Sequence, residues 1–180
     1  FVTGEVWNPT DLASVETPIQ DRIKFTKNNF NQSFKQLLSL GLTSEELIEL
    51  LNDKDDFAVE EAIGQLELRG PEALDALIDA LSHRKKNIRM HAATILGAIN
   101  DEKAIPALIA ALKDNNKLVR REASTAVSRM SGAVDPLIET LADEDWKVRG
   151  AAAWALGNLG DEKAIPELEK LLDDESSFVK

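Results

Sequence analysis

LADEDWKVRGAAAWALGNLG, residues 141–160, carries a pattern that most of the chain repeats with variations. Small apolar side chains recur in it at steps of four, three and four residues, and a helix that turns about 100° per residue brings such positions onto one face. These positions are Val148, Ala152, Ala155 and Leu159. Since alanine lets a neighbouring helix approach closely, the stretch predicts an α-helix with helical neighbours on more than one side.

The ends of this predicted helix carry their own signals. Asp143 or Asp145 is expected to cap the first turn, because a short side-chain oxygen accepts hydrogen bonds from the free amide groups there. A negative charge also suits the positive end of the helix dipole. Gly157 and Gly160 are expected to mark the end of the helix.

The pattern returns with a period of about 30 residues, which is typical of helical repeat proteins. An apolar residue followed by a polar or basic one recurs at spacings of 29 or 31 residues, in Val59-Glu60, Ile88-Arg89, Val119-Arg120, Val148-Arg149 and Val179-Lys180. The hexapeptide DEKAIP occurs at residues 101–106 and again at 161–166. A period that holds two helical segments predicts a solenoid of stacked helical hairpins.

Start and stop signals predict two helices in each repeat. First helices are expected near residues 44–52, 71–82, 103–113, 133–142 and 163–172, and second helices near 56–68, 85–99, 116–130 and 145–159. Thr43 and Glu46 are expected to form a capping box ahead of the first of them, with Leu42 and Leu47 as a hydrophobic staple. The predicted fold is all-α, a right-handed α-solenoid of about 4.5 repeats.

The predicted repeats lie near residues 42–70, 71–100, 101–132, 133–160 and 161–180, and the last is incomplete. Residues 1–41 do not carry the period and are expected to form a non-repeat arm and helices, with Val6 and Trp7 as anchors. Because the last repeat lacks its second helix, the helix near 163–172 is expected to leave apolar surface uncovered. Continuation of the chain, a partner or self-association would cover that surface.

The composition limits the classes of function. The chain contains no cysteine, which excludes disulfides, thiolate metal sites and cysteine nucleophiles. Thirty-two acidic against 21 basic residues give a net charge of −11, which disfavours nucleic acid or an anionic membrane as the main partner. We therefore expect no membrane partner, no cofactor and a cytoplasmic location. The chain begins at Phe1, so an N-terminal signal that has been removed stays open as an alternative.

Residues 101–166 carry a family resemblance. Their pattern joins DEKAIP, leucines at helical spacing, an acidic break, Val-Arg and an alanine-rich second helix, and it resembles the HEAT-like repeats named after the phycobilisome lyases. The resemblance extends over residues 42–180 and implies an α-solenoid, whereas it implies little about function. Val127-Ser128 replaces the usual Leu-Gly, the break near Ser131-Gly132 is shortened, and such irregularity is typical of a natural sequence.

Neither histidine meets the requirements of a metal site. One family of HEAT-like proteins, the deoxyhypusine hydroxylases, binds iron through paired His-Glu motifs, but here His91 is followed by Ala92. Glu122 and Ala151 stand at the corresponding positions of the next repeats. A metal site needs convergent ligands, so we expect no metal and interpret His91 as a surface residue.

Acidic residues cluster at the predicted helix starts, where capping and the helix dipole account for them. A general acid and base pair would need two carboxylates in unlike environments inside a cleft, so we expect no catalytic pair. Arg89, Arg120 and Arg149 recur at one site per repeat. We expect their guanidinium groups to bridge the acidic turns of adjacent repeats.

Charge is distributed unevenly along the chain. Residues 82–130 hold ten basic and four acidic residues, a local charge of +6, which leaves −17 for the rest. We refer to residues 82–130 as the basic segment. A basic segment in an acidic protein indicates a docking surface for carboxylates or phosphates, or simply a solvated surface.

Trp146, Gly150 and Trp154 lie one turn apart on the face opposite Val148. One interpretation is that one or both tryptophans pack against the adjoining repeat, since tryptophan is usually mostly buried. The other is that they bind a partner, because the corresponding positions of earlier repeats are mostly polar and do not belong to a common core. Those positions are Lys86, Met90, Thr94, Lys117, Arg121 and Thr125.

These observations predict a non-catalytic protein-interaction module or scaffold subunit, which binds its partner on a concave surface lined by the second helices. The expected partner is a protein segment that is acidic or inserts an apolar side chain. The alternatives are an accessory subunit of a bilin or cofactor lyase, or of another enzyme complex, and a HEAT-like nucleic-acid enzyme. The predicted partner-binding residues are Trp146, Gly150, Trp154, Lys86, Met90, His91, Lys117, Arg121, Thr125 and Arg129.

Overall fold

A computed structural model of the chain describes residues 41–180. The predictions for the N-terminal arm, including the anchoring roles of Val6 and Trp7, lie outside the described residues. Within the described range all regular structure is helical, which confirms the predicted all-α class.

Each of the four complete repeats contributes a short first helix and a longer second helix, and the last repeat contributes a first helix. The first helices are α1 (Ser44–Leu50), α3 (Leu74–Ala80), α5 (Ile105–Ala111), α7 (Val134–Thr140) and α9 (Ile165–Lys170). The second helices are α2 (Asp56–Arg69), α4 (Lys86–Ile99), α6 (Lys117–Val127) and α8 (Trp146–Leu159). None of these helices has the length together with the apolar character that crossing a bilayer requires.

The helices pack as a solenoid. The first helix of each of the four complete repeats packs against the second helix of that repeat, and consecutive second helices pack against one another. The buried side chains form one continuous cluster from the first repeat to the last. Its largest fully buried members include Leu47, Leu66, Leu77, Leu96, Leu108, Leu137 and Leu156.

Small side chains let the second helices approach closely, as the alanine pattern predicts. Ala152 and Ala155 of α8 are both fully buried. A Cβ on Gly97 of α4 would lie 2.9 Å from the Cβ of Ala126 in α6, so these two helices touch where the glycine stands. Consecutive second helices therefore pack against one another as one layer.

The two ends of α8 agree with the prediction except at Gly157. Asp145 is the N-cap, and its side chain accepts a hydrogen bond from the backbone N–H of Lys147 at 2.9 Å. Gly160 ends the helix as expected, in the left-handed region at φ 67°, where a residue without a Cβ is unstrained. The expectation that Gly157 also marks the end is wrong, because one glycine costs only about 1 kcal/mol in a helix whose other residues are packed.

The predicted capping box precedes α1. The backbone N–H of Thr43 donates to Oε2 of Glu46 at 2.9 Å, and the N–H of Glu46 donates to Oγ1 of Thr43 at 3.3 Å. Leu42 and Leu47 are both buried beside it. The local signals at this helix start therefore determined its geometry.

The second helix of the third repeat is shorter than predicted. α6 ends at Val127 rather than near residue 130, and the hydroxyl of Ser128 donates to the carbonyl of Thr125 at 2.9 Å. Met130 then adopts an extended conformation, at φ −106° and ψ 105°, and is only 2% exposed. Burial of Met130 in the core offsets the loss of the last helical turn.

In the first repeat, the buried residue equivalent to Val119 and Val148 lies one residue earlier than the sequence pattern predicts. Asp55 caps α2, so the third helical residue is Ala58, which is buried like Val119 and Val148 at the same position. Val59, not Glu60, therefore stands where later repeats have arginine. The prediction that Val59 is equivalent to Val119 and Val148 was wrong. The N-cap determines where the helix starts, whereas the prediction followed the larger of two neighbouring apolar residues, Val59 rather than Ala58.

Two of the three repeated arginines bridge adjacent turns as expected. Arg89 donates from Nε and Nη2 to the carboxylate of Asp114 at 2.6 and 3.0 Å. Arg149 donates in the same way to Asp174 at 2.7 and 2.8 Å. Each also donates from Nη1 to a carbonyl of its own preceding turn at 2.8 Å. The two-point bonds tie successive repeats together.

The first helix of the last repeat, α9, is partly uncovered. No residue of α9 is buried, and Ile165 at its start is 49% exposed. Leu172 is 64% exposed, while Leu168 and Leu171 pack partly against the core. This agrees with the apolar surface expected near residues 163–172.

Candidate functional site

The candidate site is a row of side chains on successive second helices. At position one stand Asp56 in α2, Lys86 in α4, Lys117 in α6 and Trp146 in α8. At position five, in the same order of helices, stand Glu60, Met90, Arg121 and Gly150. At position nine stand Gly64, Thr94, Thr125 and Trp154. Residues four apart lie one above the other on a helix. None of these side chains is buried. We refer to this set as the second-helix face.

The stacking of the helices places equivalent positions beside one another. Neighbouring packed helices have axes about 8–10 Å apart. The contacts between α4 and α6 and between α6 and α8 are made by small side chains, including the 2.9 Å hydrogen bond from Ser124 to the carbonyl of Ala151. Lys86, Lys117 and Trp146, at position one of three consecutive packed helices, therefore follow one another along the stack.

The two tryptophans of α8 differ in their surroundings. Trp146 is 38% exposed and stacks on Phe178, with ring centroids 5.0 Å apart and an angle of 23° between the ring planes. Nζ of Lys147 lies 5.7 Å from the centroid of the same ring. Trp154 is 50% exposed. Trp146 thus packs against the adjoining repeat, while Trp154 presents half of its surface to solvent.

Gly150 leaves a notch between the tryptophans. A Cβ at this position would meet only Cγ2 of Val179, at 4.0 Å, which is an ordinary contact distance, so Val179 lies at the edge of the notch. Trp146 and Trp154 are separated by two turns, about 12 Å along the helix axis.

The basic side chains of the second-helix face are largely free to bind. Lys86 and Lys117 are exposed and form no ion pair within residues 41–180, and the same holds for Arg129 just beyond α6. Arg121 pairs with its neighbour Glu122 at 2.7 Å, with 67% of the arginine side chain exposed. The face therefore offers positive charge to a partner.

His91 is half-buried, which corrects the expectation that it lies at the surface. It occupies position six of α4, beside Glu122 at position six of α6, and the close packing of these helices covers it. Burial lowers the pKa of His91 below its ordinary value, and the charge of Glu122 opposes this shift only in part. His91 is therefore neutral at pH 7. In the described part of the chain, no three His, Cys, Asp or Glu side chains are grouped so as to hold a metal ion.

The remaining predicted residues line the face without adding charge. Met90 and Thr125 are half-buried, and Thr94 is exposed. The hydroxyl of Thr94 donates to the carbonyl of Met90 at 3.1 Å and lies 3.4 Å from Oε2 of Glu122. The contact with Glu122 links α4 to α6 on the exposed side of the layer.

The sequence interpretation missed Phe178 as a neighbour of the tryptophans. The position of Phe178 in the repeat could have indicated this contact. Phe178 lies two residues after Ser176, as Lys147 lies two residues after Asp145, and from this position its ring reaches back to the previous second helix. Leu68 on α2, which is 82% exposed, was also not singled out.

A groove lies between α5 and α7. It has a volume of about 580 Å³ and is lined by Pro106, Ile109, Pro136 and Thr140 among others. The ion pair between Lys113 and Asp143, at 2.6 Å, lies beside it. None of the partner-binding residues predicted from the sequence lines this groove.

Comparisons with known proteins also identify helical repeats in this chain. A profile of HEAT repeats matches residues 44–128 and 126–180. The complex of CpcE and CpcF of phycocyanin lyase from Nostoc sp. PCC7120 is similar in structure, with a TM-score of 0.59 and 22% identity over 76% of this chain and 92% of that chain. A designed armadillo repeat protein in complex with the peptide (KR)4 has a TM-score of 0.50 and 19% identity, over 95% and 94% of the two chains. None of the curated proteins matches this chain.

At 22% and 19% sequence identity, the two solved structures give information about the fold alone. They are built from repeats, as the described residues are, and this agrees with a solenoid. The profile covers most of the chain and confirms the resemblance to HEAT-like repeats. The chain belongs to the HEAT repeat family.

Proposed function

We propose that this chain is a non-catalytic protein-interaction module whose second-helix face binds a segment of a partner protein. The observation that carries the proposal is Trp154, which is 50% exposed at a position where the preceding repeats have Thr94 and Thr125. Tryptophan contributes more binding free energy than most residues when a partner covers it. An exposed tryptophan on a rigid helix is therefore suited to anchor a partner.

The helix that carries Trp154 supports this role. Its neighbours Ala155 and Leu156 are buried in the core, so the orientation of α8 is determined by packing. A binding residue on such an element is preorganised, and less conformational entropy is lost on association. The notch at Gly150 provides room beside the ring for an apolar side chain of the partner.

The charge of the neighbouring helices indicates the kind of partner. Lys86, Lys117 and Arg129 are exposed without ion pairs among the described residues, and they lie in the basic segment of an otherwise acidic chain. Complementary charge guides association and selects among partners. We therefore propose a partner segment that carries carboxylates together with an apolar anchor, and we place the module in the cytoplasm.

A binding role also accounts for the carboxylates better than a catalytic one. Asp145 and Asp161 cap helices or turns through their side chains, while Asp114 and Asp174 hold arginines. These carboxylates are occupied by structural hydrogen bonds. This supports a module without chemistry of its own.

Selection of peptides from a random display library on the immobilised chain tests the proposal. We expect the enriched peptides to bind Trp154→Ala about 30-fold more weakly than the parent chain, a loss of about 2 kcal/mol. Leu172→Ala is the matched control, because it removes another exposed apolar side chain away from the face. Fluorescence anisotropy measures both affinities.

The proposal fails if the enriched peptides bind Trp154→Ala as tightly as the parent chain, because their site then lies elsewhere. It also fails if Leu172→Ala weakens binding as much as Trp154→Ala. A selection that enriches no peptide contradicts the proposal as a whole.

A further inference from the structure

We infer that the guanidinium group of Arg120 is a binding site for a carboxylate of the partner segment, which Nε and Nη2 hold in a two-point hydrogen bond. The inference rests on the proposed function for the source of the carboxylate. It adds a contact that is not among the partner-binding residues predicted from the sequence. It follows from a comparison of Arg120 with the two arginines at the same position of neighbouring repeats.

The three repeated arginines are anchored in the same way. Each stands at position four of its second helix and donates from Nη1 to two backbone carbonyls of the preceding turn. The two distances are 2.8 and 3.3 Å for Arg89, 2.7 and 3.1 Å for Arg120, and 2.8 and 3.1 Å for Arg149. Because these bonds use only Nη1, Nε and Nη2 of each arginine are left for a second partner.

In two of the three arginines the second partner is a carboxylate of the next turn. Nε and Nη2 of Arg89 donate to Asp114, and those of Arg149 donate to Asp174. Nη2 also donates to a side-chain oxygen of the residue that follows the aspartate, at 3.2 Å in both cases. The planar pair of N–H groups matches the two oxygens of a carboxylate in shape and charge. The preferred occupant of this edge of the guanidinium is therefore a carboxylate.

At Arg120 the same edge is open. In the described part of the chain neither Nε nor Nη2 of Arg120 forms a hydrogen bond or an ion pair. The aspartate at the corresponding position of the next turn is Asp143, but Lys113 binds its carboxylate at 2.6 Å. The same carboxylate accepts the backbone N–H of Asp145 at 3.0 Å. The bond from Lys113 holds the pKa of Asp143 below its ordinary value, so Asp143 is ionised and already paired.

A ligand can reach the two open N–H groups. Arg120 is half-buried, and no buried side-chain nitrogen among residues 41–180 lacks a hydrogen-bond partner. Nε and Nη2 of Arg120 are therefore both accessible to solvent. A charge that is partly withdrawn from solvent is screened less by salt than a fully exposed one. The site is thus accessible and still able to attract an anion at physiological ionic strength.

The charges around Arg120 favour a carboxylate over a more highly charged anion. Lys117, three residues earlier on the same helix, is exposed and forms no ion pair within residues 41–180. Residues three apart are neighbours on a helix, so Lys117 adds positive charge beside Arg120. Glu144 in the next turn is also exposed and carries the opposite charge. It would repel a phosphate, with nearly two negative charges, more than a carboxylate with one.

NMR of the arginine Nε–H groups in the ¹⁵N-labelled chain tests the site. In the free chain we expect slow exchange with solvent for Arg89 and Arg149, whose Nε–H groups are bonded, and fast exchange for Arg120. The probe is the tripeptide Asp-Glu-Ser with blocked ends, which copies residues 174–176, where Arg149 is bound. It is expected to shift the Nε–H signal of Arg120 and to slow its exchange. Asn-Gln-Ser, the matched neutral peptide, is expected to do neither.

Three results of this experiment would overturn the inference. Slow exchange of the Arg120 Nε–H in the free chain would mean that a carboxylate of the chain itself, such as that of Asp143, fills the edge. An unchanged Arg120 signal in the presence of the tripeptide would mean that the edge does not bind a carboxylate. A shift by inorganic phosphate at lower concentration than by the tripeptide would mean that phosphate is the preferred ligand.

Arg120→Lys connects the site with the partner segment. Lysine keeps the charge but loses the planar two-point bond. The peptides selected on the immobilised chain are expected to bind this variant about tenfold more weakly than the parent chain. Arg84→Lys is the matched control, because Arg84 is an exposed arginine whose side chain forms no hydrogen bond or ion pair within residues 41–180. We expect its effect on affinity to stay within about twofold.

The outcomes separate this inference from the proposed function. Peptides that need Trp154 but bind Arg120→Lys as tightly as the parent chain show that the inference is wrong, and the proposed function stands. Equal losses of affinity in Arg120→Lys and Arg84→Lys also contradict the inference, since the two-point bond then has no part in binding. If the peptides bind Trp154→Ala normally but lose affinity for Arg120→Lys, the proposed function is wrong and the carboxylate site stands.

Discussion

Arg89 holds the carboxylate of Asp114, 25 residues further along the chain, through Nε at 2.6 Å and Nη2 at 3.0 Å. Burial raises the pKa of Asp114, but the bonds from Arg89 and from the backbone N–H of Asn116 outweigh burial and hold the pKa below its ordinary value. The carboxylate is therefore ionised at neutral pH, and the pair links one repeat to the next.

Arg120 occupies the equivalent position but lacks this bond. Its Nη1 donates to the carbonyl of Asp114 at 2.7 Å, and within residues 41–180 it forms no ion pair. The carboxylate in the corresponding turn, that of Asp143, is bound by Lys113 at 2.6 Å. The third repeat is therefore linked to the fourth through a lysine at this turn.

Arg89→Lys is expected to destabilise the fold more than Arg120→Lys. Lysine keeps the charge but cannot make a planar two-point bond to a carboxylate. We expect a loss of about 1–2 kcal/mol in the free energy of unfolding at Arg89 and less than about 0.5 kcal/mol at Arg120. Urea denaturation of both variants measures the difference, and equal losses would show that the carboxylate bond contributes little.

Gly97→Ala and Gly157→Ala are expected to have opposite effects, although both glycines stand at position twelve of their helices. Alanine gains about 1 kcal/mol of helix propensity at either site. At Gly97 the new Cβ would lie 2.9 Å from the Cβ of Ala126, and overpacking costs about 1–3 kcal/mol. At Gly157 the space is open. A lower melting temperature for Gly157→Ala, or a higher one for Gly97→Ala, would contradict this account.

Ala152→Leu is expected to lower the free energy of unfolding by about 1–3 kcal/mol, because Ala152 is fully buried between packed helices. Lys147→Ala on the exposed side of the same helix serves as the control and is expected to change it by less than about 0.5 kcal/mol. Thermal or chemical denaturation distinguishes the two. Similar shifts for both substitutions would mean that the register assigned to α8 is wrong.

Trp154→Ala is expected to leave the fold intact, with a melting temperature within about 2 °C of the parent chain. The ring is half exposed, and the hydrogen bond at this residue, from Asn158 at 2.8 Å, goes to the backbone carbonyl. Trp146→Ala is the comparison, since it removes the stack on Phe178. Hydrogen exchange should become faster at residues 176–180 in that variant only, and the same acceleration in Trp154→Ala would make Trp154 structural.

Stability is expected to fall in acid partly through His91. Burial lowers the pKa of His91, so the unfolded chain, with an ordinary pKa of about 6.5, takes up the proton first. The contribution is complete above about pH 6.5 and is lost as the pH falls through the folded-state pKa. His91→Gln should therefore show a smaller loss of unfolding free energy than the parent chain between about pH 7.5 and 5.5. Parallel pH profiles for the two proteins would exclude this role.

Helix positions were predictable where the signals are local. The capping box of Thr43 and Glu46 and the left-handed end at Gly160 depend on residues within one turn, and both agree with the sequence pattern. The predictions failed where packing at a distance competes with local preference. Gly157 stays helical in a packed helix, and Met130 leaves the helix to fill the core.

The helical repeat and the side of α8 that carries Trp146, Gly150 and Trp154 could be predicted from the sequence, because helical periodicity places residues on faces without reference to other elements. The difference in exposure between the two tryptophans could not, since Trp146 meets Phe178 from the next repeat. Contacts between repeats depend on the lengths of the intervening turns and on how closely the helices pack, and neither can be read from the pattern of a single helix.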